Sequence, residues 1–166
     1  MEKKILNDFC FHKPKTLDEA LVLIDKYQEN GLLMEGGSEV IPNMKSLVVT
    51  PDHIISLKHI PEFDYITYTP GEGLHIGPSC TLTKVEYDPN VQSVYPSLYM
   101  GVHGMSNTNI HNISTVTGNI CYAVPSADTA APLLTLNAEL SVKSVDGERK
   151  VPITELFAGV RRTTLK

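Results

Sequence analysis

The sequence is short of several things, and each shortage removes a class of function. Its three cysteines, Cys10, Cys80 and Cys121, include no Cys-x-x-Cys pair. A four-cysteine zinc site or a cysteine-ligated iron–sulfur cluster cannot be assembled from them. An odd number without a secretory leader also speaks against a disulfide framework. They read as small buried or half-buried thiols, so redox chemistry here requires a bound organic cofactor or another subunit. Basic residues are few as well: 14 Lys and Arg stand against 19 Asp and Glu, a net charge of -5. A nucleic acid or an anionic membrane demands a clustered basic face, so neither is an expected partner. No apolar run approaches the roughly 18 residues of a membrane span. The N-terminal stretch, Met1-Glu2-Lys3-Lys4-Ile5-Leu6-Asn7-Asp8, turns polar before a leader-type apolar segment forms. A cytoplasmic location is the expectation. Gly-x-Ser-x-Gly, His-Glu-x-x-His, the Gly-x-Gly-x-x-Gly fingerprint and the phosphate loop ending in Gly-Lys-Ser/Thr are all missing.

What remains is an ordinary globular balance, 42% hydrophobic and 20% charged over 166 residues. That is enough for one domain, or for two small lobes that share a site. Thr16-Leu17-Asp18-Glu19 has the form of a capping box, and Leu17, Ala20, Leu21, Ile24 and Tyr27 recur at helical spacing up to Asn30-Gly31. Leu32–Met34 reads as a strand, Glu39–Ser46 as a helix and Ile54–Leu57 as a second strand, an order that suggests a small parallel sheet. Beyond it, Tyr65–Tyr68 and Leu74–Gly77 flank Pro70–Gly73 as a hairpin. Thr81–Tyr87, Pro96–Met105 and Asp128–Leu136 read as helices, and Glu139–Val145 turns at Asp146-Gly147 to meet Lys150–Pro152. Residues 106–127 are polar and small with no sustained period, a length of irregular chain that is usually functional. The working division is two lobes, 1–57 and 58–166.

Two segments could carry chemistry. Gly36-Gly37-Ser38 lies between a strand and a helix, where paired glycines permit positive φ and close backbone approach, and where turn amides favour phosphate. In Asn109–Ile120, Ser114, Thr115, Thr117 and Asn119 can donate to phosphate and sugar oxygens around Gly118. Asp128 stands near a helix start, suited either to capping or to accepting from ligand hydroxyls.

With those residues in view, the chain resembles the FAD-binding domain of the molybdenum hydroxylases, the flavoprotein component of xanthine and carbon monoxide dehydrogenases. The likeness begins at Phe11–Leu21 and continues through Glu35-Gly36-Gly37-Ser38-Glu39-Val40, where that family has Ala-Gly-Gly-Thr-Asp-Leu. It is most specific at Ile110-His111-Asn112-Ile113-Ser114-Thr115-Val116-Thr117-Gly118-Asn119-Ile120 followed by Pro125-Ser126-Ala127-Asp128. Ala131–Leu134, Asn137–Leu140, Arg149–Val151 and Phe157–Arg161 complete it. The resemblance implies a two-lobed α+β fold with FAD between a small α/β lobe and a larger lobe of mixed or antiparallel sheet and helices. It implies cofactor-binding positions at Glu35, Gly36, Gly37, Ser38, Glu39, Val40, Ser114, Thr115, Thr117, Gly118, Asn119 and Asp128, and no acid, base or nucleophile.

It further implies a relay: electrons reach FAD from [2Fe–2S] clusters on an iron–sulfur subunit, beside a molybdopterin subunit, and leave for NAD or another acceptor. The alternative is a scaffold that docks such partners without tight FAD binding. Three departures support that alternative. Thr117 replaces the first glycine of a Gly-Gly-Asn triplet, and Glu35 and Glu39 flank the glycine pair. The smaller C-terminal domain of the family is also missing, so the chain is expected to be the N-terminal part of a longer flavoprotein plan. His111 departs too, standing where Arg is typical.

Overall fold

The computed structural model describes residues 6–165. Met1–Ile5, most of the stretch bearing on a leader, and Lys166 lie outside the described residues.

The N-terminal part runs β1 (Cys10–His12), α1 (Leu17–Tyr27), β2 (Gly31–Met34), α2 (Val40–Lys45) and β3 (His53–Ser56). Its three strands are all parallel in the order β1-β3-β2. Position explains composition: β3 is central, and its Ile54, Ile55 and Ser56 are buried as an unbroken run, as a strand covered on both faces requires. β1 adds an edge strand that the spacing does not announce, since three residues are too few to show alternation.

The capping box forms in a shifted version, its return bond reaching the residue before the cap. The Thr16 hydroxyl accepts from the Glu19 N–H at 3.2 Å, and the Glu19 carboxylate accepts in return from the Lys15 N–H at 2.7 Å. The helix stops earlier than Asn30-Gly31, at Tyr27. There Gln28 takes φ 39, a tight turn covers residues 28–30, and Gly31 opens β2.

The rest of the chain is helix-rich. The hairpin of β4 (Ile66–Thr69) and β5 (Gly73–Ile76) leads into α3 (Leu82–Tyr87), α4 (Pro89–Val94) and α5 (Pro96–His103). α4 has its own start signal, for the Asp88 carboxylate accepts from the Asn90 and Val91 N–H groups at 2.9 and 3.0 Å, with Pro89 in the first turn. Residues 106–127 contain α6 (Thr108–His111) and α7 (Val116–Cys121), each too short to display a 3.6-residue period. Next come α8 (Ala130–Thr135), the ribbon of β6 (Glu139–Ser144) and β7 (Gly147–Pro152), α9 (Ile153–Leu156), and the small pair β8 (Phe157–Gly159) and β9 (Arg162–Thr163).

The class is therefore α+β, with a small sheet lobe and a larger lobe of helices and strands. In the larger lobe the strands pair as three separate antiparallel ladders, and helices enclose the main core of Leu82, Val85, Val91, Leu98, Val102, Ile153 and Leu156. Burying such side chains contributes about 1.5–3 kcal/mol each before entropy is charged against it. No helix among the described residues is long and apolar enough to cross a membrane.

Candidate functional site

The two small-residue segments meet. The turn after β2 brings Gly36 against the other segment so closely that a Cβ there would lie 1.9 Å from the Ile113 carbonyl oxygen and 3.0 Å from the Ser114 Cα. Gly37 takes φ +78, which supplies the reversal into α2. The Ser114 hydroxyl then donates to the Ser38 hydroxyl at 2.8 Å. Gly36 thus serves a backbone-to-backbone contact within the protein, a different use from the close approach to a ligand that the sequence suggests. A second link lies nearby, where the Asn43 side-chain N–H donates to the Tyr122 hydroxyl at 3.0 Å. The Tyr122 ring in turn carries the Arg161 guanidinium 5.3 Å from its centroid.

On the far side of the seam, Thr115 caps α7, its hydroxyl accepting from the Gly118 N–H at 2.9 Å. Thr117, Gly118 and Asn119 follow in that first turn, all half-buried. A Cβ on Gly118 would meet only the Thr115 hydroxyl, at 3.0 Å. The turn is consequently open in front of Gly118, with room for a ligand to approach the backbone. The Asn119 side-chain oxygen accepts from the hydroxyl of the fully buried Thr129 at 2.6 Å, which orients the amide.

The carboxylates separate by role. Glu35 is half-buried and accepts from the Ser79 hydroxyl at 2.7 Å, so its charge is turned onto the other lobe. Burial pushes its carboxyl above the usual carboxylate range, and the Ser79 bond draws it part of the way back. Glu39 is exposed and occupies the cap position of α2 without a side-chain capping bond, and the helix begins at the half-buried Val40. Asp128 is exposed and is not the cap of α8, since that position falls on Thr129. Among the described residues no hydrogen bond ties the Asp128 side chain to the rest of the site.

Ser79, Asn43, Tyr122 and Thr129 are the residues that sequence reasoning passes over. Each acts through a partner at least ten positions away, and no local spacing signals that. The nearby thiols are held in the protonated form. Burial pushes Cys121 up to about 11, with the Glu35 charge adding to it, and Cys80 is also pushed up to about 11, chiefly by burial. No group of three or more His, Cys, Asp or Glu among the described residues is placed to hold a metal ion.

Fold and seam together define a class: a two-lobed α+β domain in which a glycine turn from the small lobe meets a Ser/Thr/Asn segment from the larger one. The family described as the FAD binding domain in molybdopterin dehydrogenase matches residues 7–166. The nicotinate dehydrogenase FAD-subunit of Eubacterium barkeri is 30% identical over 155 residues, covering 93% of this chain and 52% of its own length. The xanthine dehydrogenase FAD-binding subunit of Escherichia coli O157:H7 is 31% identical over 161 residues, covering 96% and 54%. The solved structure of carbon monoxide dehydrogenase from Hydrogenophaga pseudoflava superposes with a TM-score of 0.93 at 28% identity, over 98% of this chain and 56% of that one. The chain belongs to the FAD-binding domain family of the molybdopterin dehydrogenases, the molybdenum hydroxylases, which are oxidoreductases. It spans about half the length of the relatives it matches.

Proposed function

We propose that the chain binds FAD across the seam between its lobes, 1–57 and 58–166, and serves as the flavin component of a molybdenum hydroxylase. The observation that carries this reading is the contact of Gly36 with the Ile113–Ser114 backbone, joined by the Ser38–Ser114 hydrogen bond. It brings together residues far apart in the chain, the Ser38 and Ser114 hydroxyls among them, while the Thr115 hydroxyl lies beside the backbone of Gly118. That donor set suits a diphosphate: short hydroxyls and backbone N–H groups, with one adjacent carboxylate turned away onto Ser79.

In this reading Gly37, Ser38, Ser114 and Thr115 hold the phosphates, with Gly36 fixing the turn against residues 113 and 114, while Thr117 and Asn119 donate to the sugar-like chain. The exposed Asp128 carboxylate accepts from cofactor hydroxyls. FAD, when bound, supplies the capacity to take up and pass on electrons, and the protein supplies position and electrostatics. None of the chain's own side chains has to move a proton for the relay. Partners are an iron–sulfur subunit carrying [2Fe–2S] clusters and a molybdopterin subunit, with NAD or another oxidant as acceptor, in the cytoplasm.

The test is a titration of the purified chain with FAD, followed by flavin fluorescence and by melting temperature. Quenched fluorescence together with a raised melting temperature is the expected result. A colourless chain that leaves both signals unchanged with excess FAD would overturn this reading and leave the docking scaffold in its place.

A further inference from the structure

The Ser114–Asn119 segment cannot hold its own shape. α6 has four residues and α7 six, well below the length at which a helix is stable by itself. Beside its contacts with the Gly36–Ser38 turn and Thr129, the segment is restrained by α3. The Leu82 N–H donates to the Ser114 carbonyl and the Thr83 hydroxyl to the Asn112 side-chain oxygen, both at 2.8 Å. A further tie runs through a histidine ring. His111, the last residue of α6, is only 6% exposed, and its Nδ1 lies 2.8 Å from the Glu86 carboxylate on α3. Its Nε2 lies on the Met105 carbonyl.

A carbonyl can only accept. Glu86 accepts as well: hydrogen bonds from His103 and His111 outweigh burial and hold its carboxyl below the usual carboxylate range. The His111 ring therefore faces an acceptor at each nitrogen, and satisfying both takes a hydrogen on each.

We propose that His111 and Glu86 form the positioning pair of the cofactor site: a cationic ring, clamped between α3 and the α5–α6 connection, that sets where Ile113 and Ser114 meet Gly36. This inference rests on the FAD reading above for its ligand but not for its mechanics. His103, 62% exposed on the second Glu86 oxygen, is a solvent-side arm of the same carboxylate and does not lead into the segment.

The chemistry of side chains provides the test. Glutamine at 111 offers hydrogens at only one end of its amide and loses one of the two bonds. Arginine keeps the charge and has donors enough for both acceptors. In H111Q, FAD is expected to bind about tenfold more weakly, as befits the loss of one charge-assisted bond, with H111R close to the unaltered chain and H103Q unchanged.

In the ligand-free protein, amide exchange at Asn119 and Tyr122 should rise about tenfold in H111Q, while amides of β3 keep their protection. Should H111Q fail to fold, E86Q is expected to loosen the same amides. Unaltered exchange at those amides in the folded variant, a rise spread equally over β3, or an H111R as weak as H111Q would each overturn the proposal. If the unaltered chain binds no FAD, the functional reading falls and the exchange result alone decides the positioning pair.

Discussion

Gly36 and Gly118 occupy similar settings in the sequence, each beside hydroxyl residues at a turn into a helix, and the structure gives them opposite surroundings. At Gly36 the space a side chain would take is filled by the backbone of residues 113 and 114. At Gly118 the corresponding space meets one hydroxyl and is otherwise open. The first glycine lets the protein close on itself, and the second leaves the protein open to something else. A glycine-rich motif at a cofactor site thus combines two requirements, and only one of them concerns the cofactor.

Substitution separates them. G36A forces a methyl group into a carbonyl at 1.9 Å, which only a backbone shift can relieve. A loss of about 3 kcal/mol or more is expected in a urea melt, with loss of the seam. A stability within about 0.5 kcal/mol of the original would show that the turn is looser than its geometry.

G118A is the contrasting case. Alanine is favoured over glycine in a helical turn by up to about 1 kcal/mol, offset here by the 3.0 Å approach to the Thr115 hydroxyl. Stability should change little, while FAD affinity falls about tenfold because the open face is filled, and the fluorescence titration reads this directly. Equal losses of stability in G36A and G118A would erase the distinction between the two glycines.

The smallest effect is expected at Glu35, on the border between them. Its carboxyl holds a proton more tightly in the folded chain than in the unfolded one. Its contribution to stability is therefore fully present below the unfolded value and is lost as pH rises through the raised folded value. In E35Q that part of the pH dependence should vanish, so melting curves of the two chains diverge toward neutral pH in favour of the variant. Parallel curves across that rise in pH would count against a raised Glu35 carboxyl.

How much of this was legible follows from range. The Thr16 cap, the hairpin turn at Asp146-Gly147 and the parallel pairing of β2 and β3 depend on neighbours or on burial pattern, and they form as the residues suggest. β1, α6 and α7 are too short for any period to appear. The two site segments stand out by composition. That they touch, and that Gly36 is spent on Ile113, depends on a contact between residues more than seventy positions apart. Ser79 is a plain loop serine until its hydroxyl meets Glu35. Asp128 was open to two readings from its position alone, and the structure removes the cap by giving that place to Thr129.

The raised thiols have a practical corollary. Burial pushes Cys80 and Cys121 up to about 11, which keeps both thiols protonated at neutral pH. Alkylating reagents should therefore pass both by. Cys10 is exposed on β1 at the edge of the parallel sheet. A fluorophore attached there would give a singly labelled protein without any cysteine being removed.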